Sequence, residues 1–543
     1  MNLQSFFDHW KIVENPFKGE EARQDPVFLR LEAASQAGQN GNAPAASLAT
    51  TALPGITAHS DFEKIAGDFS RPASAIVFGE KGSGKTAIRL QLADRLAAYN
   101  KAHPQARCLW VGYDDLNPVL GRFVDRGGGG RTDKKATVAD VLAKFRLVDH
   151  IDGVLCTVVP AIVDALLKSR PDPRSTPAAV PIELAEEPRK LVRKMDMTLR
   201  RDLLALQASY DRPETATGAE DRTRRLRRLT RQSPPVSGMI WTALALLGWI
   251  APAYAAYWAW EHDKLQLNPD NRMLWIIAGL LGLWLLIILK RSAYDRLKFI
   301  ALGHRLRKQI RVSLRSDASF GRSLRQLPGA LVDASVLPMT NADDVRFAML
   351  ERLRRVLAHM GYAGIIVVVD RVDEPTLVAG DPERMRSVIW PMLNNKLLQQ
   401  PGLGFKMLLP MELRHALFRE SAQFFQEARL DKQNMIERLS WTGSMLYDLC
   451  NARLQACRAT GAEPITLLDL FAEDVTRNDL VDALDQMHQP RDAFKLLYQC
   501  LGDHCASVTG DQAQWRIPRL MLDTVKKAQV ERVRQLYKGV RPS

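Results

Sequence analysis

Residues 79–86, which read GEKGSGKT, constrain the fold of this chain more than any other segment. They fit the phosphate-binding loop pattern G-x-x-x-x-G-K-[ST] at every fixed position. The apolar run 75–78 precedes the loop and predicts a buried strand, and residues 87–96 follow it with the apolar spacing of a helix. A strand, a glycine-rich loop and a helix in this order predict an α/β fold that binds a phosphate group. The alternative is a chance glycine-rich turn.

The residue types in this loop suit a nucleoside triphosphate, ATP, together with Mg²⁺. Glycines allow backbone N–H groups to close around phosphate oxygens, and the following helix directs its positive end to the same place. Lys85 is predicted to neutralise the β- and γ-phosphates, and the hydroxyl of Thr86 is predicted to ligate Mg²⁺. The predicted ATP-binding residues are Gly79, Glu80, Lys81, Gly82, Ser83, Gly84, Lys85, Thr86 and Ala87.

An acidic motif follows a second apolar run much later in the chain. Residues 365–369 are all β-branched, which suits a central parallel strand covered on both faces. Asp370 would then stand at the carboxyl end of that strand, where ligands of open α/β sheets bind. We expect Asp370 to hold Mg²⁺ through its water shell, and Asp373 or Glu374 to orient the attacking water.

Two long segments without charged residues, 237–260 and 273–289, lie between these motifs. As helices they would be about 36 Å and about 25 Å long, against a hydrocarbon core of about 30 Å. Pro252 is expected to kink the first helix, which membrane segments tolerate. Other tryptophans lie near the segment ends, where interfacial aromatics are expected, but Trp249 and Trp284 lie deeper. The pattern predicts a two-helix transmembrane hairpin; the alternative is a buried helical hairpin in a soluble protein.

Basic residues flank both outer ends of this hairpin. Arginines are dense in residues 222–231, and further Lys and Arg residues follow from 290 to 311, whereas the turn at 261–272 has only Lys264 and Arg272. Under the positive-inside rule both flanks face the cytoplasm. The expected localisation is therefore a multi-pass membrane protein with two helices, whose catalytic domain and both termini are cytoplasmic. This topology also places both halves of the predicted nucleotide site in one compartment.

The formal net charge of +14 is concentrated around the hairpin, which predicts attraction to anionic lipid headgroups. Nucleic-acid binding is a competing and less favoured explanation, because the arginine-rich segment adjoins an apolar one. The six cysteines are scattered without a C-x-x-C pair, which disfavours a disulfide framework or a zinc site. The chain is long enough for three or four domains.

Further elements are predicted from apolar patterning. Strands are expected at 108–113, 405–409 and 436–441, and helices from about 189 to 206, at 294–315 and at 345–360. Residues 33–53, rich in Ala, Gly, Asn and Ser, are expected to form a flexible loop. Arg491 follows Pro490 at a predicted helix start and is expected to reach the γ-phosphate from a helical lid domain. The alternative for Arg491 is an ordinary surface helix start.

The phosphate loop, the hairpin inserted before the acidic motif and the later Pro490-Arg491 helix start together resemble the KAP family of P-loop ATPases. The resemblance covers most of residues 61–497 and rests on architecture and short motifs. It implies a membrane-associated ATPase of the additional-strand class, related to the AAA+ and STAND groups. It also implies that Lys85, Thr86 and Asp370 bind Mg-ATP and that Arg491 senses it.

The expected fold class is therefore α/β: a P-loop NTPase parallel sheet interrupted by a two-helix transmembrane hairpin and followed by a helical C-terminal domain. The expected segments are an N-terminal segment with a flexible loop (1–60), the first part of the NTPase core (61–180), a helical insertion (181–320), the second part of the core (321–441) and a helical lid (442–543).

The expected function is hydrolysis of Mg-ATP that drives a conformational or assembly change at the cytoplasmic face of a membrane. The first alternative is a nucleotide-loaded switch or scaffold, in signalling or defence, with little hydrolysis; a membrane-tethered nucleic-acid motor is the second. The expected partners are membrane lipid, through the hairpin, and either further copies of this chain or another protein. Arg371, Arg429 and Arg438 are candidates for an arginine finger in a neighbour's site.

Overall fold

A computed structural model describes residues 1–18, 22–39, 58–127, 137–169, 182–213, 215–232, 236–262, 272–332, 336–508 and 514–537. The predicted turn between the two apolar segments lies outside these residues over 263–271, and so does the 40–57 part of the predicted loop. The described chain is mixed α/β, mostly helical, with a five-stranded parallel sheet.

The strands of this sheet match the apolar runs of the sequence closely. They are β1 (Ala75–Gly79), β2 (Arg107–Tyr113), β3 (Tyr362–Val369), β4 (Leu403–Pro410) and β5 (Asn434–Ile436), in the order β2-β3-β4-β1-β5. β1 lies parallel to both of its neighbours, with Ala75 opposite Lys406 of β4 and opposite Asn434 of β5. The first four strand predictions are confirmed.

Burial explains why these runs form central strands. Every residue of β1 and of β4 is buried. Lys406, in the middle of β4, is fully buried, and its ammonium donates hydrogen bonds to the carbonyls of Ala66 at 3.0 Å and Ala73 at 2.8 Å. A buried charge needs such partners, so this lysine stabilises the chain that leads into β1.

The fifth predicted strand is largely wrong. β5 ends at Ile436, whereas the prediction ran through 441. The N–H of Leu439 donates to the carbonyl of Phe78 at 2.7 Å, and the N–H of Trp441 donates to the carbonyl of His488 at 3.3 Å. The chain therefore leaves the regular ladder after Ile436 and satisfies its backbone at two separate places.

The helices account for most of the described residues. In the first half of the chain they are α1 (Leu3–His9), α2 (Pro26–Gln39), α3 (Phe62–Ala66), α4 (Lys85–Ala102), α5 (Asn117–Gly127), α6 (Val138–Leu142), α7 (Leu147–Leu167), α8 (Pro188–Lys194), α9 (Met197–Tyr210), α10 (Ala216–Leu229), α11 (Val236–Leu247) and α12 (Ile250–Glu261). In the second half they are α13 (Arg272–Leu289), α14 (Asp295–Gln309), α15 (Asp317–Arg325), α16 (Asp343–His359), α17 (Pro382–Ile389), α18 (Asn395–Leu398), α19 (Met411–Leu417), α20 (Ala422–Ala428), α21 (Gly443–Ala456), α22 (Arg477–Asp485), α23 (Pro490–Ser507) and α24 (Arg519–Tyr537).

The chain forms two compact units. The first consists of Met1–Ala102, Ile366–Asp373 and Leu398–Ser543, and the second consists of His103–Ile365 and Glu374–Leu397. The five segments predicted from the sequence differ from this division, since both ends of the chain belong to the first unit.

The first unit contains a helical core built from both ends of the chain. Phe6 and Phe17 are buried in the same apolar cluster as Leu446 of α21 and Leu497 of α23. Arg453 of α21 donates to the carbonyl of Pro16 at 2.7 Å and pairs with buried Asp25 at 2.6 Å. The N-terminal residues thus stabilise the C-terminal helices, a pairing for which the sequence gives no local signal.

The second unit is helical around α7, which packs against α9, α10 and α16. The predicted helix from about 189 to 206 is wrong as a single element, because α8 ends at Lys194 and α9 begins at Met197. Asp196 accepts a hydrogen bond from the N–H of Leu199 and thereby caps α9. The predicted helix 294–315 likewise ends early, at Gln309, where the backbone of Ile310 turns out of the helical region. The prediction at 345–360 is confirmed by α16.

Within the part of the chain that the structure describes, three helical segments are long and apolar enough to cross a membrane by length and composition: Leu147–Leu167, Ile240–Glu261 and Arg272–Gln309. The most apolar 18-residue stretch of the first segment is mostly buried within its unit, whereas almost none of the corresponding stretch of the second and none of that of the third is buried. The third is continuous because a short π-helix, Lys290–Tyr294, links α13 to α14.

The segment predicted as one helix at 237–260 is divided into α11 and α12. Pro252 cannot donate to the carbonyl four residues before it, so the break at Gly248 and Trp249 lies one turn upstream of that proline. A Cβ on Gly248 would lie 2.8 Å from the Trp284 ring, so α11 and α13 approach closely here. The indole N–H of Trp284 donates to the carbonyl of Ala245 at 3.0 Å, which explains a tryptophan so far from the segment ends.

One prediction near the N-terminus also needs correction. The residues predicted as a loop from 33 onward are helical as far as Gln39, the end of α2. Polar small residues favour loops only on average, and α2 packs against α21, which supports the helix.

Candidate functional site

The glycine loop, residues 79–84, joins β1 to α4 within the first unit. Gly82 and Gly84 have φ angles of 98° and 96°, in the left-handed region that other residues avoid. The N–H and the hydroxyl of Ser83 both donate to the carbonyl of Glu80, at 3.2 and 2.9 Å. The two glycines therefore allow a tight curl of backbone that a chain with side chains at these positions could not adopt without strain.

Helix α4 begins directly after this loop. The N–H of Ile88 makes the first intrahelical bond, to the carbonyl of Gly84 at 2.9 Å. The N–H groups of Lys85, Thr86 and Ala87 thus have no carbonyl acceptor inside the helix. The partial positive charge at the start of a helix 18 residues long adds to these donors, so the local geometry favours an anion.

Lys85 folds back over the loop. Its ammonium donates to the carbonyl of Gly79 at 2.6 Å and to the carbonyl of Glu80 at 2.9 Å. Burial lowers the pKa of Lys85, and the nearby carboxylates of Asp370, Asp373 and Glu412 oppose that decrease. The predicted phosphate-binding lysine is therefore close to the predicted acids and is held by two backbone oxygens.

The acidic motif brings two of its three predicted acids to the same place. Asp370 follows β3, is buried, and accepts a hydrogen bond from the N–H of Arg371 at 2.9 Å. Asp373 forms an ion pair with Lys81 of the glycine loop at 3.1 Å. Glu374, the third predicted acid, belongs to the second unit. The structure thus places Asp373 against the glycine loop within the first unit.

The sequence patterns do not predict the basic residue that lies beside Asp370. The guanidinium Nε of Arg89 lies 3.6 Å from Oδ2 of Asp370, and both side chains are buried. Arg89 follows Lys85 by one helical turn, so the two cations share a face of α4. The four-residue spacing of Lys85 and Arg89 can be seen in the sequence. The pairing of Arg89 with Asp370 can be seen only in the folded structure.

The start of α23 also contacts the glycine loop. A Cβ on Gly82 would lie 2.8 Å from the Cβ of Arg491 and 3.1 Å from Oε1 of Gln489. The prediction that Arg491 opens a helix after a proline is confirmed by α23. Gly82 is thus required both by its φ angle and by the close approach of this helix.

Glu80 connects the loop to two further segments of the same unit. Its carboxylate pairs with Arg438 at 3.0 Å and accepts from the amide of Gln489 at 3.3 Å. The indole N–H of Trp441 donates to the carbonyl of Ser83 at 2.8 Å. Arg438 was proposed from the sequence as a finger for a neighbouring copy; here it pairs with its own chain.

The backbone N–H groups, Lys85 and the nearby carboxylates would suit a phosphate group with a hard cation. Glycines occupy the loop positions where a Cβ would meet Arg491 or Ser83. The charged groups near the loop include Lys85 and the two aspartates. Thr86 and Asp370 are the oxygen donors that Mg²⁺ would use here. Across the described residues, no cluster of three or more His, Cys, Asp or Glu side chains could hold a metal ion.

Known proteins add no independent information on this site. The chain matches no protein-family model, no curated protein and no solved structure.

Proposed function

We propose that this protein is a membrane-associated P-loop ATPase that resembles the KAP family and binds Mg-ATP at the glycine loop. The observation that carries the proposal is the meeting, within one unit, of Lys85, Asp370, Asp373 and Arg491 around a loop with two left-handed glycines. These groups come from three separate segments of the sequence. A glycine-rich turn without a ligand would not need them all.

Each residue has a role in this proposal. The N–H groups at the start of α4 bind phosphate oxygens, and Lys85 exchanges its two carbonyl partners for the β- and γ-phosphates. Thr86 and Asp370 would hold Mg²⁺, which neutralises phosphate charge when bound. Asp373 orients the attacking water, with Glu374 as the alternative acid, and Arg491 stabilises charge on the γ-phosphate.

We also propose that two spans lie in a membrane as a hairpin. The first span consists of α11 and α12 together, and the second is α13. Their apolar side chains are exposed over long stretches, for example Leu246, Trp275 and Leu285. Exposed apolar surface of this extent is unfavourable in water and favourable in lipid. Under the positive-inside rule, both flanks, the nucleotide site and both termini are cytoplasmic. Hydrolysis would then drive a conformational or assembly change at that face of the membrane.

The first test is ATP binding and phosphate release by the full-length protein reconstituted in lipid. Lys85→Ala removes charge-assisted hydrogen bonds and should weaken ATP binding about 10- to 100-fold. The matched control is Lys64→Ala, an exposed lysine of α3 in the same unit, which should bind ATP like the wild type. Unchanged ATP affinity in Lys85→Ala would contradict the site.

One observation favours a second function, a nucleotide-loaded switch with little hydrolysis. The carboxylate of Asp373 is already paired with Lys81, so it is not free to accept a proton from an attacking water. Asp373→Asn separates the two functions. An ATPase should retain ATP binding and lose about 10²- to 10⁴-fold in turnover, whereas a switch should release little phosphate in either protein.

A further inference from the structure

The second unit contains a basic cavity far in sequence from the glycine loop. Its volume is ≈ 770 Å³, within the range of about 300–1,000 Å³ that is typical of small-ligand sites. The C-terminal ends of α7 and α10 and the short helix α8 form its walls. The cationic side chains that line it are Lys168, Arg189, Arg193, Arg225, Arg228 and Arg231.

The charge of this cavity is nearly all of one sign. Glu187 is the one acidic residue among its lining residues, against six basic ones. Arg225 has a partner, Asp221, at 2.8 Å. For the other five cations, no ion pair with any described residue occurs. Cations that face a shared concave surface repel one another, and an anion between them relieves that repulsion.

Helix ends explain some of these cations without a ligand. Lys168 caps α7, and Arg228 lies in the last turn of α10, where a positive charge complements the helix dipole. Arg189 is different, because it lies in the first turn of α8, where the helix end favours anions. The position of Arg189 in the cavity wall therefore has no explanation in helix capping.

We propose that this cavity binds a phosphate-bearing anion, from the headgroup of an anionic phospholipid or from a soluble phosphate compound. Arginine matches phosphate geometry well, because its planar guanidinium donates two parallel hydrogen bonds. Leu166, Leu167 and Leu229 give the cavity an apolar part that a solvated patch of charge lacks and that the glycerol and upper acyl region of a lipid would contact.

The position of the cavity along the chain favours the lipid source. Five peptide units connect Arg231 to Val236, the first residue of α11, so the two lie within roughly 18 Å of each other. A headgroup at the end of α11 would be within that reach. This preference for lipid rests on the proposed membrane location, whereas the phosphate site itself does not.

The test compares two charge-reversal variants in full-length Lys85→Ala protein, in which the glycine loop is already weakened as a phosphate site. The cavity variant is Arg189→Glu with Arg228→Glu. The matched control is Lys190→Glu with Arg201→Glu, two exposed cations outside the cavity, on α8 and on α9. Both variants change the net charge equally. Equal thermal unfolding midpoints establish that each is folded, and Arg189→Gln provides a milder second variant.

Two probes separate the sources of phosphate. Phosphatidylglycerol retained on the protein in neutral detergent is measured against phosphatidylcholine by native mass spectrometry, and inorganic pyrophosphate binding is measured by calorimetry. We expect the parent and the control to retain phosphatidylglycerol in preference to phosphatidylcholine. This preference should fall at least tenfold in the cavity variant and a few-fold in Arg189→Gln. Pyrophosphate binding that displaces the lipid would identify phosphate alone as the recognised group; lipid retention without it would identify the lipid.

Equal losses in the cavity variant and the control, or no preference for either anionic probe in the parent, would overturn the proposal. Its failure is distinguishable from failure of the ATPase proposal. The part of ATP binding that Lys85→Ala removes tests the glycine loop, and the difference between the cavity variant and its control in the Lys85→Ala background tests the cavity.

Discussion

Helices α7 and α13 are both long and apolar enough for a membrane span, yet they differ in burial and in charged residues. Most of α7 is buried inside the second unit, whereas α13 has no buried residue. α7 carries Asp149, His150, Asp152 and Asp164, all of them buried. In α13 no charged residue follows Arg272.

The partners of the polar groups explain this difference. Asp152 pairs with buried Arg346 at 3.1 Å and accepts from the hydroxyl of Tyr210 at 2.9 Å. Asp164 pairs with Arg222 at 3.0 Å. A buried carboxylate requires such partners, which only surrounding protein can supply in this number. Length and apolar composition alone therefore do not distinguish a helix that is buried in protein from a candidate membrane span.

The largest expected effect comes from breaking one of these pairs. Arg346→Met leaves Asp152 buried without its cation and should lower the local unfolding free energy of α7 by about 3–5 kcal/mol. Amide hydrogen exchange measures this region by region, and exchange in α13 should not change.

The double variant Asp152→Leu with Arg346→Met is the control. It removes both charges and should recover part of the lost protection, because no unpaired carboxylate is left. Equal loss of protection in α7 and α13 after the single change would contradict the distinction between the two helices.

Local signals in the sequence predicted much of the fold. The β-branched run before Asp370 and the apolar run before Gly79 are buried strands, because continuous apolar runs suit central parallel strands that are covered on both faces. Where two local signals compete, the prediction fails. The leucine spacing across residues 189–206 favours one helix. The chain instead breaks between α8 and α9, where Asp196 caps the start of α9.

Long-range pairings in the candidate site could not be predicted. The loop sequence and the placement of Arg491 at a helix start were readable, since glycine and proline patterns are local. The ion pairs of Glu80 with Arg438 and of Arg89 with Asp370 join segments hundreds of residues apart. Single-sequence patterns hold no distance information of that kind, and the same limit hid the core shared by Phe6 and Leu497.

A charge in the middle of α13 tests the other half of the comparison. Leu281 is 45% exposed and lies at the centre of residues 273–289. Leu281→Arg should raise the apparent free energy of membrane insertion by about 3 kcal/mol, because a charged side chain is costly at the bilayer centre. The measurement is the fraction of protein that stays with membranes after an alkaline wash.

Leu281→Ala is the matched control and should insert nearly as well as the wild type. Unchanged membrane association in Leu281→Arg would contradict a span at α13. It would also favour the alternative of a helical pair that a protein partner covers.

The smallest expected effect concerns pH. His150 of α7 is fully buried, and burial lowers its pKa from 6.5 to about 4. Its Nε2 lies 2.6 Å from the carbonyl of Val388, and its Nδ1 lies 3.4 Å from the hydroxyl of Tyr113, an arrangement that a neutral imidazole satisfies. The unfolded chain therefore binds more protons than the folded chain between these two pKa values. This contribution to stability is complete above pH 6.5 and is lost as pH falls towards 4.

His150→Gln should remove this dependence. The difference in the local unfolding free energy of α7 between wild type and variant should shrink by about 2 kcal/mol from pH 6.5 to pH 5. Burial raises the pKa of Asp152 to about 6, and this carboxyl acts in the opposite direction, but it is present in both proteins and cancels in the difference. Residues 273–289 have no titratable side chain, so hydrogen exchange in α13, corrected for its intrinsic pH dependence, should show no such change. An equal pH response in both helices would contradict the view that buried titratable residues distinguish α7 from α13.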